Sequence, residues 1–101
     1  MEIFYYDKKI KKFIDSLEED SRKQVIKNLE LLEEYGYEIG LPHSKSIGNG
    51  LFELRCIGSG ARFLYIYYNK YVLILSGFVK KVNKIPQKEL NLARKKQKMI
   101  E

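Results

Sequence analysis

Three short pieces of this chain carry side chains suited to phosphate chemistry: Gly50-Leu51-Phe52-Glu53-Leu54-Arg55, Ala61-Arg62-Phe63-Leu64-Tyr65 and Gly77-Phe78-Val79-Lys80-Lys81. Cleaving RNA through its own 2'-hydroxyl requires three things: the hydroxyl must lose a proton, the phosphorane charge must be stabilised, and the 5'-leaving oxygen must gain a proton. Arg55 and Arg62 suit the second task, because a guanidinium stays charged and grips two phosphate oxygens at once. Lys80 or Lys81 could clamp the phosphate or exchange protons. Glu53 is the nearby carboxylate and is a candidate base, with a surface pairing to Arg55 as the other reading. Lys45 before these pieces, and Lys84, Arg94 and Lys95 after them, are candidate contacts to an RNA backbone. The single histidine, His43, either approaches this group or stays in solvent.

Such residues need a scaffold, and the order of elements supplies one. Residues 2–6 are aromatic and β-branched, which predicts a strand, and Asp7 offers an oxygen to cap a following helix. In that helix Ile10, Phe13, Ile14 and Leu17 recur at helical spacing and leave Lys8, Lys9, Lys11 and Lys12 in solvent. Glu18-Glu19-Asp20 suits the first turn of a second helix, whose apolar face of Val25, Ile26, Leu29 and Leu32 ends at Gly36. Residues 40–50 read as loop, broken by Pro42, Gly48, Asn49 and Gly50. Leu51–Ile57, Ala61–Tyr68 and Tyr71–Phe78 then form a meander with turns at Gly58-Ser59-Gly60 and Asn69-Lys70. Pro86 opens a basic helix running to about Met99. The expectation is an α+β fold in β-α-α-β-β-β-α order: a small antiparallel sheet, two N-terminal helices packed on it and a basic C-terminal helix. Alternation puts Glu53 and Arg55 on one face of the first meander strand and Phe52, Leu54 and Cys56 on the other. Short connections then let Arg55, Arg62 and Lys80-Lys81 converge. By the same alternation Phe63, Tyr65 and Tyr67 are core, with at most Tyr65 or an edge tyrosine reaching RNA.

A chain of 101 residues makes one domain, 1–101,. Residues 1–44 carry seven Lys/Arg against ten Asp/Glu, whereas residues 45–101 carry twelve against three. Positive charge concentrated in this way points to a polyanion, and nucleic acid is the commonest. No stretch approaches the roughly 20 apolar residues that span a bilayer, and the N-terminus has no secretion signal, so a cytoplasmic protein without a membrane partner is expected. Cys56, alone, reads as a small buried hydrophobe rather than a nucleophile.

Gly-Leu-Phe-Glu-Leu-Arg, the later Arg62, and Gly-Phe-Val-Lys-Lys with Pro86 and Ala93 downstream resemble the pattern of RelE/ParE-superfamily toxins, in particular the phage-derived HigB-like branch. The resemblance implies a RelE-like fold and the role of a type II toxin: ribosome-dependent cleavage of messenger RNA (an mRNA interferase), with no metal or other cofactor. It also implies a cognate antitoxin, often a helix-turn-helix protein, expected to cover the basic face. Many relatives have a histidine shortly before Gly-Phe-x-Lys-Lys, where this chain has Ser76. A ParE-like gyrase poison and a non-catalytic RNA-binding module are the competing readings, since one fold hosts several functions.

Overall fold

The computed structural model describes residues 1–81 and 83–100; Val82 and Glu101 lie outside the described residues. The elements are β1 (Ile3–Tyr5), α1 (Lys8–Ser16), α2 (Glu19–Tyr35), a 3₁₀ turn (Gly36–Glu38), β2 (Ser44–Gly48), β3 (Leu51–Cys56), β4 (Ala61–Tyr68), β5 (Tyr71–Val79) and α3 (Gln87–Ile100). Five strands form one sheet in the order β1-β5-β4-β3-β2. β1 runs parallel to β5 and the other neighbours are antiparallel, so the sheet is mixed rather than purely antiparallel.

Local chemistry sets the boundaries. The Asp7 side chain accepts from the Lys9 N–H and starts α1, and Gly36, at φ 52°, closes α2,. The β4–β5 turn places both Asn69 and Lys70 at positive φ, the requirement of a two-residue hairpin whose twist matches its strands,. The segment read as loop from 40 to 50 holds a strand: β2 pairs with β3 through Ser44↔Leu54, Lys45↔Glu53 and Ser46↔Phe52. Its polar sequence buries little beyond Ile47, so pairing and side-chain hydrogen bonds hold it. The Ser44 hydroxyl hydrogen-bonds the buried Tyr65 hydroxyl at 2.6 Å. Gly48, Asn49 and Gly50, all at positive φ, make the turn into β3.

Both sheet faces are covered. On the first, α1 and α2 bury Ile10, Ile14, Val25, Leu29 and Leu32 against Leu54, Phe63, Tyr65 and Ile74. On the second, α3 packs Ala93, Leu90 and Ile100 over Leu51, Leu64, Ile66, Leu75 and Phe78. The alternation predicted for Phe63, Tyr65 and Tyr67 agrees with this, although Tyr65 is fully buried and does not reach the surface. Cys56 is likewise enclosed, and burial pushes its thiol up to about 12 against the opposing pull of Arg62. No helix of the described residues is long and apolar enough to cross a membrane.

Candidate active site

Strand register assembles the cation cluster. Glu53 and Arg55 are two apart on β3 and so share a face. Arg55 sits opposite Arg62 on β4, which places Arg62 diagonal to Glu53, within reach of a long side chain. β5 reaches the same face through an irregularity. Leu64 pairs with Ser76 but Tyr65 pairs with Ile74, so Leu75 is an extra residue. A bulge of this kind shifts the phase of everything beyond it. Val72 and Ile74 point to the α1/α2 face, but Leu75 and Phe78 lie under α3, and Ser76 also turns to that side to donate to Glu89 at 2.8 Å. Lys80, two residues past Phe78, therefore joins the face that carries Glu53. Gly77, opposite Phe63, makes room for rings on the α1/α2 side: a Cβ there would lie 2.8 Å from Phe13 and Phe63.

Glu53 is 1% exposed and stands at the centre. Arg55 Nε donates to its Oε1 at 3.2 Å, and Lys80 Nζ donates to its Oε2 at 3.5 Å. Arg62 Nε is 3.9 Å from Oε2, an ion-pair distance too long for a hydrogen bond, and that buried N–H has no partner among the described residues,. Its guanidinium also donates from Nη1 to the Ala61 carbonyl at 2.9 Å. Two arginines directly across a ladder repel each other. The buried carboxylate offsets that repulsion and gathers the cations, so Glu53 is neither a surface partner nor a carboxylate free of partners. Above it lies an open cleft of about 400 Å³ lined by Arg55, Arg62, Lys80, Lys81 and Asn83. Asn83 carried no signal in the sequence, being one polar residue among lysines.

The other candidates do not line this cleft. Lys45 is exposed on β2 opposite Glu53. Lys84 is exposed before α3, and Lys95 is exposed on it. Arg94 is committed elsewhere: it donates to the carbonyls of Gly48 at 2.9 Å and Ile47 at 3.1 Å, clamping α3 to the β2–β3 turn. His43 stands closer than its loop position suggested. The Arg55 N–H donates to the His43 carbonyl at 2.7 Å and extends the β2–β3 ladder by one residue. His43 is itself a turn residue, its N–H donating to the Gly40 carbonyl, and it does not line the cleft. Its Nδ1 is buried without a hydrogen-bond partner among the described residues. Ser76 lines a separate crevice beneath α3, with Asp7, Glu89 and Lys96 among its neighbours. Among the described residues no group of three His, Cys, Asp or Glu side chains gathers to hold a metal ion.

The arrangement can bind a phosphodiester: cations from β3, from β4 and from the segment just after β5 share one carboxylate, and the approach is open. Residues 12–98 match a family described as Phage derived protein Gp49-like. The fold is similar to that of the crystal structure of the isolated E. coli RelE toxin, with a TM-score of 0.65 over 89% of this chain and 95% of that one, at 17% identity. The α+β, RelE-like architecture expected from the sequence is therefore the one the chain adopts. No curated protein matches the sequence.

Proposed function

The chain belongs to the Gp49-like family of phage-derived proteins, and on that premise we propose that it is the toxin of a type II toxin-antitoxin system, an endoribonuclease that cuts messenger RNA on the ribosome. A cognate antitoxin would hold it inactive, and the cleavage would need no metal. The observation that carries this reading is the cleft in which Arg55, Arg62 and Lys80 surround buried Glu53, with the Arg62 Nε–H left without a partner. Three cations share a single carboxylate, so positive charge is left for an incoming anion, and a non-bridging phosphate oxygen can accept from the guanidinium and ammonium groups that line the cleft,. The fold shared with the RelE toxin structure supports the same reading.

In this proposal the 2'-oxygen attacks phosphorus and the bond to the 5'-oxygen breaks, leaving a 2',3'-cyclic phosphate and a 5'-hydroxyl. Arg55 and Arg62 stabilise the charge that builds on the phosphorane oxygens, while Lys80 and Lys81 anchor the phosphate. Glu53, surrounded by cations, fixes their positions rather than serving as the base. His43, the chain's one histidine, whose carbonyl accepts from the Arg55 N–H, is the candidate for moving the proton from the 2'-hydroxyl and returning one to the leaving oxygen,. Lys45, Lys84 and Lys95, all exposed, would contact neighbouring phosphates and make binding steeply salt-dependent.

The test is a translation reaction with purified ribosomes and a defined message, mapped by primer extension beside a control lacking ribosomes. Cuts that need ribosomes and vanish in Arg62→Ala support the toxin reading. A second reading, a non-catalytic RNA binder, draws on Ser76, whose hydroxyl is held by Glu89, where the resemblance to RelE/ParE-superfamily toxins implies a histidine in many members. Salt-dependent RNA binding with an intact message and unimpaired synthesis would favour it.

A further inference from the structure

We propose that Asn83 is the base-reading residue of the cleft: its amide oxygen is what admits a nucleotide whose base carries an exocyclic amino group, adenine or cytosine. That the ligand is a nucleotide rests on the RNA reading above, whereas the role of Asn83 comes from the make-up of the cleft wall. The described residues that line it are Arg55, Arg62, Lys80, Lys81 and Asn83. Four of these are cationic side chains that donate hydrogen bonds and accept none. Glu53 adds no acceptor to the surface, because it is 1% exposed and its two oxygens face Arg55, Arg62 and Lys80. Among the described lining residues, Asn83 alone brings a side chain that both accepts and donates,.

Depth separates two tasks. The side chains of Lys80, Arg62 and Arg55 are 9%, 17% and 29% exposed, whereas Lys81 and Asn83 are exposed residues. A phosphate drawn to the deep cations leaves its nucleoside at the outer wall, where Asn83 stands. The cleft, at about 400 Å³, has the size of a pocket for one small ligand,. No aromatic ring is among its described lining residues, so this wall supplies no stacking platform for an unpaired base. Phosphate contacts carry no sequence information, which leaves hydrogen bonds to the base edge as the means of discrimination.

Base edges differ in what they ask of such a wall. On the edge that a duplex shows in its major groove, guanine and uracil present acceptors, which arginine and lysine satisfy; adenine and cytosine present an amino donor there. A wall of cations has nothing to accept that donor with. The Asn83 amide oxygen supplies the acceptor, and its N–H can meet the ring nitrogen beside the amino group of adenine, the pairing asparagine makes with that base.

The experiment titrates the isotope-labelled full chain with the 3',5'-bisphosphates of adenosine, cytidine, guanosine and uridine, each a single base between two phosphates, and reads affinities from backbone amide shifts. In the wild type the adenosine and cytidine ligands should bind at least as tightly as the other two, with shifts at Arg55, Arg62 and Asn83. In Asn83→Lys, which makes the wall donors only, affinity for adenosine and cytidine should fall by about tenfold relative to guanosine and uridine. Asn83→Asp restores an acceptor, so it should keep the wild-type ratio while binding all four more weakly. Arg62→Ala should weaken all four alike, as expected of a phosphate contact. An unchanged ratio in Asn83→Lys, or loss of the adenosine and cytidine share in Asn83→Asp, would overturn the proposal while leaving the RNA reading in place. Absence of shifts around the cleft at millimolar ligand would overturn both.

Discussion

Two groups of cations come from the same basic half of the chain and meet different ends. Around Glu53, Arg55, Arg62 and Lys80 lean on one buried carboxylate and open onto a cleft. On α3, Arg94 is taken up by the carbonyls of Ile47 and Gly48, and Lys96 by the Leu75 carbonyl at 2.6 Å and by Asp7 at 3.1 Å. The first group shares one counter-charge among three cations and so keeps binding capacity for an anion. The second spends its donors inside the protein, where each bond fastens α3 to the sheet. Positive charge in a sequence therefore does not by itself mark a binding face; what matters is how many acceptors the fold already supplies.

The largest effect should follow from removing what the cleft cations share. Glu53→Ala leaves three cations facing one another in a buried setting, and breaking such a group typically costs about 3–5 kcal/mol. Chemical denaturation should show that loss, with recovery in salt or phosphate that supplies the missing anion. An unchanged midpoint would mean that the carboxylate does not organise the cluster. Next, Arg62→Ala should lower message cleavage by about 10²–10³-fold, the usual result of removing one donor to a developing oxyanion. Stability should fall less than in Glu53→Ala, because Arg62 gives up one hydrogen bond to the Ala61 carbonyl and a long ion pair while Arg55 and Lys80 still partner the carboxylate,. A parallel fall in both would place Arg62 with the structural cations instead.

Much of the cleft group was legible, because its logic is local. Glu53 and Arg55 sit two apart, and a short turn puts Arg62 on the next strand, so period-two reasoning reaches all three. Lys80 shows where that reasoning stops. Strict alternation from Ile74 would send it to the α1/α2 face, and only the bulge at Leu75 returns it to Glu53. β2 was illegible for another reason: Ser-Lys-Ser-Ile-Gly has no apolar alternation, and its strand exists through pairing with β3 and the Ser44–Tyr65 bond. The parallel partnership of β1 and β5 joins segments far apart in the chain, beyond what a local pattern specifies. The role of Arg94 was hidden likewise, since its acceptors are backbone carbonyls that look the same under any sequence.

The α3 side of the comparison predicts the inverse phenotype. Arg94→Ala leaves the Ile47 and Gly48 carbonyls without their donor and should cost about 1–3 kcal/mol, while cleavage measured well below the melting temperature stays near wild type. If cleavage fell and stability did not, Arg94 would belong with the RNA-binding cations after all.

The smallest effect isolates one charge on the same side. Asp7 caps α1 and meets Lys96. Burial pushes its carboxyl up, but the hydrogen bond and charge of Lys96 and the N–H groups of Lys9 and Ile10 outweigh this and hold it below the ordinary carboxylate value. A group depressed in the folded state contributes stability above its unfolded pKa of about 3.9 and loses it as pH falls through the folded value. Asp7→Asn keeps a good cap and removes only the charge, so it should cost under about 1 kcal/mol at neutral pH, consistent with a partly exposed pair. Between about pH 4 and the acid limit its stability curve should be flatter than that of the wild type. Parallel curves would show that Lys96 holds α3 through the Leu75 carbonyl alone, with the ion pair adding nothing.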